Sequence, residues 1–161
     1  MMLPKLLPNV DEIIYADVDV VFCNDLAEAA ALDMKDNLVA GVLDLTATDY
    51  INAGFLIMNL KQIRKEKIYE KWISEAEQKE FEKMDQDVLN AVCKNRIVYL
   101  PHRYNFSPKQ ILNMKLSEQE FQDMKYHMVM VHYGSWMKPW KEVKPRLSHI
   151  WQHFADKTGL F

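Results

Sequence analysis

The sequence predicts an α/β protein, and two observations lead to this prediction. Continuous apolar runs at positions 13–16, 38–43 and 54–59 are typical of strands that are covered by helices on both faces. Amphipathic segments follow such runs, so that strands and helices alternate along the chain. We therefore expect a mixed, mostly parallel sheet flanked by helices. Because the chain has no internal repeat and no Gly/Ser-rich linker, we expect one domain over residues 1–161.

The individual strands follow from short apolar segments that are bounded by polar or turn residues. Strands are predicted at 13–16, 20–23, 38–43, 54–59, 97–100 and 128–132. Asp17-Val18-Asp19 lies between the first two strands, and Asp44 ends the third. A polar loop after Asp44 and a Pro-containing loop at 101–108 separate the later strands.

The helices follow from capping residues and from apolar side chains at a spacing of three and four. One helix is predicted over 60–83, where Tyr69, Trp72 and Ile73 share a face and charged residues fill the other face. Ser117 and Glu120 match a capping box. Further helices are predicted over 25–32 after an Asn24 cap, from an Asp85 cap to Lys94, and from Pro145 to the C-terminus.

Composition excludes several classes of protein. A formal net charge of −3 over 161 residues gives no basic field for nucleic acid. Four glycines are too few and too scattered for a Walker A loop or a GxGxxG fingerprint. No apolar run is long enough to span a bilayer, and the N-terminus lacks the apolar region of a signal peptide. Cys23 and Cys93 stand far apart, which is typical of a reducing compartment, so a cytoplasmic location is expected.

Asp17 and Asp19 form a candidate cation site. In an extended backbone, residues two apart project to the same face, and two close carboxylates are costly unless a cation lies between them. An Asp-x-Asp pair also occurs by chance, and Asp85-Gln86-Asp87 is a second one. A metal site and a solvated turn therefore both remain open for this pair.

His132 begins a second candidate segment, HYGSWMKPW. A histidine at the end of a buried strand is usually structural. Here Gly134 permits close approach of the backbone, and Lys138 supplies a cation suited to phosphate. Two carboxylates and one imidazole are a plausible ligand set for Mn²⁺ or a similar divalent ion.

Two further segments carry polar groups of uncertain role. Asn52-Ala53-Gly54 leads directly into a strand and offers an amide in a tight space, although a plain turn explains it equally well. Asp85-Gln86 stands at the start of a helix, where Asp85 can act simply as an N-cap.

Together these segments resemble glycosyltransferase family 8, which includes bacterial lipopolysaccharide galactosyl- and glucosyltransferases and, more distantly, glycogenin. The matching segments are YADVDVVFCNDL, AGVLD, NAGFLIMNL, DQDVLNAV, YNFSP and HYGSWMKPW, in the family's order over residues 11–141. The resemblance implies a GT-A fold and transfer of glucose or galactose from a UDP-sugar to a sugar hydroxyl of a glycan or lipopolysaccharide, with retention at the anomeric carbon.

The resemblance also implies roles for individual residues. Asp17, Asp19 and His132 would hold Mn²⁺ (or Mg²⁺) against the diphosphate of the donor. The remaining donor-binding residues would be Gly134 and Lys138 at the phosphates and Asn52, Ala53, Gly54, Asp85 and Gln86 around the sugar. Asp44 matches an acceptor- or sugar-contacting aspartate. Because an amide is a poor nucleophile, we expect transfer on one face with Gln86 as an electrostatic stabiliser beside Asp85.

One departure from the family is large, because Asp17 follows closely on Met1 where the family has an N-terminal nucleotide-binding segment. The expected fold is therefore an N-terminally truncated GT-A domain. We expect it to pair with itself or with a separate N-terminal fragment, to bind UDP weakly, and to turn over slowly or not at all. Its expected location is cytoplasmic, peripheral at the inner face of the membrane.

Alternatives remain for function and for two other segments. The chain could be a catalytically inactive fragment that acts as a binding or association module, or a generic divalent-ion protein. His149 and His153 lie four residues apart but lack the glutamate of HExxH, which favours surface histidines. Trp136 and Trp140 could stack on an acceptor sugar or simply pack a C-terminal lid.

Overall fold

A computed structural model of the chain describes residues 2–44, 48–113, 116–136 and 138–159, without the side chains of Gln110, Leu112 and Asn113. The strands are β1 (Glu12–Ala16), β2 (Val20–Phe22), β3 (Val39–Leu43), β4 (Ile51–Asn59), β5 (Ile97–Leu100) and β6 (Met130–His132). The helices are α1 (Leu3–Leu6), α2 (Ala27–Ala30), α3 (Leu60–Lys65), α4 (Ile68–Gln78), α5 (Asp85–Cys93), α6 (Pro108–Asn113), α7 (Glu118–His127) and α8 (Ser148–Thr158), with a 3₁₀ turn at His102–Tyr104. The chain divides into a first unit (1–16 and 27–101) and a second unit (17–26 and 102–161).

The first unit contains a four-stranded sheet in the order β1-β4-β3-β5. The α/β class and the mixed sheet are thus confirmed. Among the described strands of this sheet only β3 and β5 pair in parallel, whereas β4 is antiparallel to both β1 and β3. The expectation of a mostly parallel sheet therefore differs from the structure. A continuous apolar run indicates a strand that is buried on both faces. A central antiparallel strand such as β4 is also buried on both faces, so the run does not determine strand direction.

Helices α3, α4 and α5 contribute to the apolar core of the first unit. Its fully buried members include Ile51, Leu60, Ile63 and Trp72. The single helix expected over 60–83 is broken, because Lys67 adopts a left-handed conformation with φ of 54°. The buried side chains of α3 and α4 nevertheless join one core, although Ile73, which was expected on the apolar face, is exposed.

Helix α5 begins at Asp85, and its N-cap residue is Met84. The expectation that Asp85 caps this helix is therefore wrong. Asp85 and Asp87 lie in the first helical turn, where negative charge interacts favourably with the helix dipole. The backbone of Met84 has φ of 46° and ψ of −114°, a conformation that residues other than glycine rarely adopt.

The second unit is built on the antiparallel pair β2-β6, and Phe106 forms a parallel bridge with Val131 of β6. Its core contains Phe106, Ile111, Met128, Val131, Tyr133 and Leu147. The capping box of Ser117 and Glu120 at the start of α7 is confirmed.

Two other helix starts differ from the expectations. The helix near Asn24 is only Ala27–Ala30, and the Asn24 amide instead donates to the carbonyls of Tyr126 (3.3 Å) and Met128 (2.8 Å). The C-terminal helix starts at Ser148 and not at Pro145, because Leu147 is left-handed with φ of 66°. The Ser148 hydroxyl donates to the Pro145 carbonyl and closes the turn before the helix. Within the described ranges, no helix has the length and apolar character needed to cross a membrane.

Candidate functional site

Asp17, Asp19 and His132 come together in the second unit, and we call them the carboxylate–imidazole cluster. One ligand atom from each lies within 4.8 Å of the others. Nε2 of His132 is 3.5 Å from Oδ2 of Asp17 and 3.4 Å from Oδ1 of Asp19. His132 is buried, whereas the two carboxylates are partly exposed, so that the cluster opens to solvent on the carboxylate side.

Strand pairing brings these residues together although they are far apart in the chain. Val20 of β2 lies opposite His132 of β6, and the amide of Tyr133 donates to the carbonyl of Asp19 at 2.9 Å. The two aspartates flank a turn before β2, and not an extended segment as expected. The turn still directs both carboxylates toward one imidazole, so the prediction that they share a face holds for a different reason.

Asn105 occupies the other side of the His132 ring. Its Oδ1 is 2.9 Å from Nδ1 of His132, and both residues are buried. The imidazole is therefore held between an amide on one edge and two carboxylates on the other. A metal-ligating histidine commonly uses its second nitrogen for such an orienting hydrogen bond.

Gly134 lies directly against the His132 ring. A Cβ atom at this position would be 2.6 Å from Nε2 and 2.8 Å from Cε1, which is closer than real Cβ contacts. Only glycine therefore fits here without movement of the ring, which gives the predicted glycine a steric function beside the cluster.

Lys138 adds positive charge to the same place. Its ammonium contacts Oδ2 of Asp19 and donates to the carbonyl of Tyr133 at 2.7 Å. It also lies 5.9 Å from the centre of the Trp140 ring. The structure thus joins the predicted phosphate-binding lysine to one of the predicted metal ligands.

The donor set fits a divalent ion such as Mn²⁺. Carboxylate oxygens suit Mg²⁺ and Mn²⁺, while an imidazole nitrogen favours Mn²⁺ over Mg²⁺. The Nε2–O distances exceed the 2.7–3.2 Å of a good N–H···O hydrogen bond, so these contacts do not satisfy the imidazole by themselves. Among the described residues, this is the one group of three such side chains that could hold a metal ion.

In the first unit, Gln86 binds the start of β4. Oε1 of Gln86 accepts hydrogen bonds from Nδ2 of Asn52 (3.1 Å) and from the amide of Ala53 (2.9 Å). Oδ1 of Asn52 accepts from the amide of Gly54 at 2.9 Å. Four of the predicted donor-binding and catalytic residues are thus joined in one hydrogen-bond network on β4 and α5.

Asn90 completes the attachment of α5 to β4. Its amide exchanges two hydrogen bonds with the backbone of Ile51, at 2.8 and 2.9 Å, and it donates to the carbonyl of Gln86 at 2.8 Å. This buried residue holds the helix turn that carries Gln86 against the strand that carries Asn52.

Asp44 lies in a second polar group of the first unit. Lys83 Nζ is 3.1 Å from Oδ2 of Asp44 and 5.0 Å from the centre of the Tyr50 ring. The Tyr50 hydroxyl donates to Oδ1 of Asp87, whose other oxygen accepts from the Lys83 amide at 2.7 Å. Burial, together with the hydrogen bond to Asp87, raises the pKa of Tyr50 to about 12.

Asp85 does not join these networks and instead lines a small, mostly apolar cavity of the first unit. Ala53, Tyr15 and Trp72 also line it. The Asp85 carboxylate stands directly after the unusual backbone of Met84. Backbone strain of this kind is concentrated at functional sites, where surrounding structure maintains it.

The remaining candidates have simpler explanations. His149 and His153 are exposed on α8, as expected for surface histidines. Trp140 packs against Trp151 of α8 with 5.7 Å between ring centres, whereas Trp136 is largely exposed. Cys93 is buried, and burial raises the pKa of its thiol to about 12.

Sequence reasoning missed four residues that hold the candidate site residues in place. Asn105 belongs to the quoted YNFSP segment but received no role. Asn90 lies one helical turn after Gln86 on α5, and this spacing was a readable signal. The side chains of Lys83 and Tyr50 gave no signal, because each contacts a residue that is distant in the chain.

Comparisons with known proteins agree with this fold. A family model described as glycosyl transferase family 8 matches residues 1–144. A lipopolysaccharide 1,2-glucosyltransferase of Escherichia coli is 28% identical over 92% of this chain and 48% of its own length. The chain therefore spans about half the length of this curated relative.

Solved structures of two glycosyltransferases are similar as well. The glycosyltransferase GlyE of Streptococcus pneumoniae superposes with a TM-score of 0.82 and 27% identity, over 96% of this chain and 41% of that one. The galactosyltransferase LgtC, solved with donor and acceptor sugar analogues, gives a TM-score of 0.80 and 24% identity. This match covers 97% of this chain and 64% of LgtC, and it supports the GT-A fold.

Proposed function

The chain belongs to glycosyl transferase family 8, and we propose that it carries out retaining, Mn²⁺-dependent transfer of a hexose from a UDP-sugar to a sugar hydroxyl of a glycan or lipopolysaccharide. The observation that carries this proposal is the carboxylate–imidazole cluster, with Lys138 in contact with it. The donor sugar is glucose or galactose, which are the sugars transferred by the named relatives from Escherichia coli and by LgtC.

We assign the leaving-group chemistry to the second unit. Asp17, Asp19 and His132 would hold the divalent ion. Such an ion, when bound, stabilises the negative charge that develops on the departing diphosphate. Lys138 adds a flexible cation for the phosphate oxygens, and Gly134 lets the backbone approach them, since it carries no side chain.

We assign the hexose to residues of the first unit. Asn52, Ala53, Gly54, Asp85 and Gln86 would bind the donor sugar, and Asp44 would bind the acceptor. The carbonyl oxygen of Gln86 already accepts two hydrogen bonds from β4, and an amide is a poor nucleophile. We therefore favour transfer on one face of the sugar through an oxocarbenium-like state, with Gln86 and the free carboxylate of Asp85 as electrostatic stabilisers.

Thermal unfolding with Mn²⁺ and UDP, added singly and together, tests this function. We expect stabilisation mainly by the pair, of roughly 5–10 °C at about 100 times Kd, because a ligand that binds only the folded state stabilises it. Asp19→Asn should abolish the response, while Asp123→Asn, an exposed aspartate on α7, should retain it. If the folded protein is not stabilised by Mn²⁺ and UDP added together, the proposal is refuted and a non-catalytic binding module is favoured. A full response to Mn²⁺ without UDP would indicate a generic divalent-ion protein.

We also propose that the chain works in association, at the cytoplasmic face of a membrane. In the part of the chain that the structure describes, no strand lies beside the outer edge of β1. Unpaired strand edges promote association with another chain, either a second copy or a separate N-terminal fragment. Sedimentation velocity should reveal self-association that increases with concentration, and a monomer at all concentrations would rule out the self-paired form.

A further inference from the structure

We propose that Asn105 is a positioning residue that fixes the tautomer of His132. In this arrangement Nδ1–H of His132 donates to Oδ1 of Asn105 at 2.9 Å, and Nε2 carries a lone pair that faces Asp17 and Asp19. The effect on metal affinity rests on the proposed function, whereas the tautomer itself can be measured without any metal.

Backbone pairing holds Asn105 at this place. The amide of Phe106 donates to the carbonyl of Met130 at 3.0 Å, and the amide of His132 donates to the carbonyl of Phe106 at 2.9 Å. These two hydrogen bonds hold Asn105 beside the end of β6. The amide of Asn105 donates to the carbonyl of His102 at 3.1 Å, which adds a third restraint.

Burial makes this hydrogen bond select one tautomer of His132. Asn105 is 2% exposed and His132 is 5% exposed, so that water cannot easily replace either partner. If the ring proton moved to Nε2, the lone pair of Nδ1 would face Oδ1 of Asn105, and two acceptors would meet in a buried place. An unsatisfied buried polar group is destabilising, which disfavours this tautomer.

The opposite edge of the ring agrees with this assignment. Nε2 lies 3.4 and 3.5 Å from the nearest carboxylate oxygens, too far for an N–H there to form a good hydrogen bond. Gly134 keeps the space beside Nε2 clear of a side chain. The neutral amide also orients the ring without adding a third negative charge, which would strengthen the repulsion between the two aspartates.

Two substitutions separate orientation from mere packing. Asn105→Asp keeps an acceptor toward Nδ1, whereas Asn105→Leu keeps a similar volume and removes the acceptor. Loss of an orienting partner typically lowers metal affinity 10–100-fold, so we expect this loss for the leucine variant and at most a few-fold change for the aspartate variant. Asn90→Leu serves as the control, because it also removes a buried asparagine but lies in the first unit.

The test combines nitrogen NMR of ¹⁵N-histidine-labelled, metal-free protein with calorimetric titration of Mn²⁺. Spectra are recorded at alkaline pH, and His132→Gln assigns the signals. We expect the proton on Nδ1 in the wild type and in Asn105→Asp, and a shift toward Nε2 in Asn105→Leu. A wild-type proton on Nε2, or an unchanged tautomer and Mn²⁺ affinity in Asn105→Leu, would overturn the inference. The expected tautomer without any Mn²⁺ binding by the wild type would uphold the inference and refute the proposed metal function.

Discussion

Lys138 and Asp19 are in direct contact, the lysine ammonium lying against Oδ2 of the carboxylate. Because Oδ1 of the same carboxylate faces His132, Asp19 stands between the imidazole and the lysine. A divalent ion bound by the cluster would meet the positive charge of Lys138 at a carboxylate that both cations use. If the proposed function holds, the lysine and the metal would therefore compete for Asp19 until a diphosphate gives the ammonium another partner.

Lys138→Met should therefore change two affinities in opposite directions. Mn²⁺ alone should bind several-fold more tightly, because the competing cation is gone. UDP in the presence of Mn²⁺ should bind about 10–100-fold more weakly, since a charge-assisted hydrogen bond contributes about 1.5–3 kcal/mol. Calorimetric titration measures both affinities, and Lys141→Met is the control because its ammonium donates to the Trp136 carbonyl at 3.4 Å and is exposed. Weaker binding of Mn²⁺ alone would contradict the competition.

Gly134→Ala should damage the cluster through steric contact. The new methyl group would lie 2.6 Å from Nε2 of His132, so that the ring or the backbone must move. We expect the Mn²⁺ affinity to fall at least about tenfold, in line with losses at orienting positions, together with a lower midpoint of thermal unfolding. Gly159→Ala is a matched control, because its added Cβ would come within 4 Å of no non-neighbouring atom in the described part of the chain, and its φ of 65° strains only the local backbone. That control should lose some stability and keep its Mn²⁺ affinity. Equal Mn²⁺ binding by wild type and Gly134→Ala would show that the ring does not depend on this glycine.

Met84→Gly should stabilise the chain, although glycine normally destabilises. The φ of 46° and ψ of −114° at Met84 are strained for a side chain and accessible to glycine. Relief of strain worth about 1–3 kcal/mol exceeds the entropy cost of glycine of roughly 0.5–1 kcal/mol, so we expect a net gain of about 1 kcal/mol. Urea unfolding measures it, with Met2→Gly as a control outside any strained position. A loss of stability for Met84→Gly would mean that the surrounding contacts, and not the backbone, determine this turn.

The sequence predicted the elements whose signals are local. The capping box of Ser117 and Glu120 depends on residues three apart, so it can be read directly. The apolar face predicted for α4 is confirmed only in part, because Trp72 is buried whereas Ile73 is exposed. The three members of the carboxylate–imidazole cluster were also predicted as candidates, the two aspartates from their spacing and His132 from its place at a strand end, and the resemblance implied that they act together. Asp17 and His132 are brought together by strand pairing, which no local pattern encodes.

The missed features depend on backbone conformation or on distant partners. Lys67 breaks the helix expected over 60–83 through a left-handed backbone, and lysine has no special preference for that conformation. The direction of β4 could not be inferred, because burial on both faces is common to parallel and antiparallel strands. Asn105 acts only through His132, so its role becomes visible when the ring is in place.

Tyr50 makes the stability of the first unit sensitive to alkaline pH. Burial and the hydrogen bond to Asp87 raise its pKa to about 12, above the ordinary value of 10. A raised pKa means that the folded state favours the neutral phenol, so this contribution to stability is fully present below pH 10 and is lost as the pH rises toward 12. Tyr50→Phe should lower stability at pH 8, since it removes the hydrogen bond, and should weaken the decline between pH 10 and 12. Urea unfolding at each pH measures the difference between the two proteins, and Tyr126→Phe, an exposed tyrosine on α7, should follow the wild type. Parallel declines of wild type and Tyr50→Phe would show that other groups cause the alkaline loss.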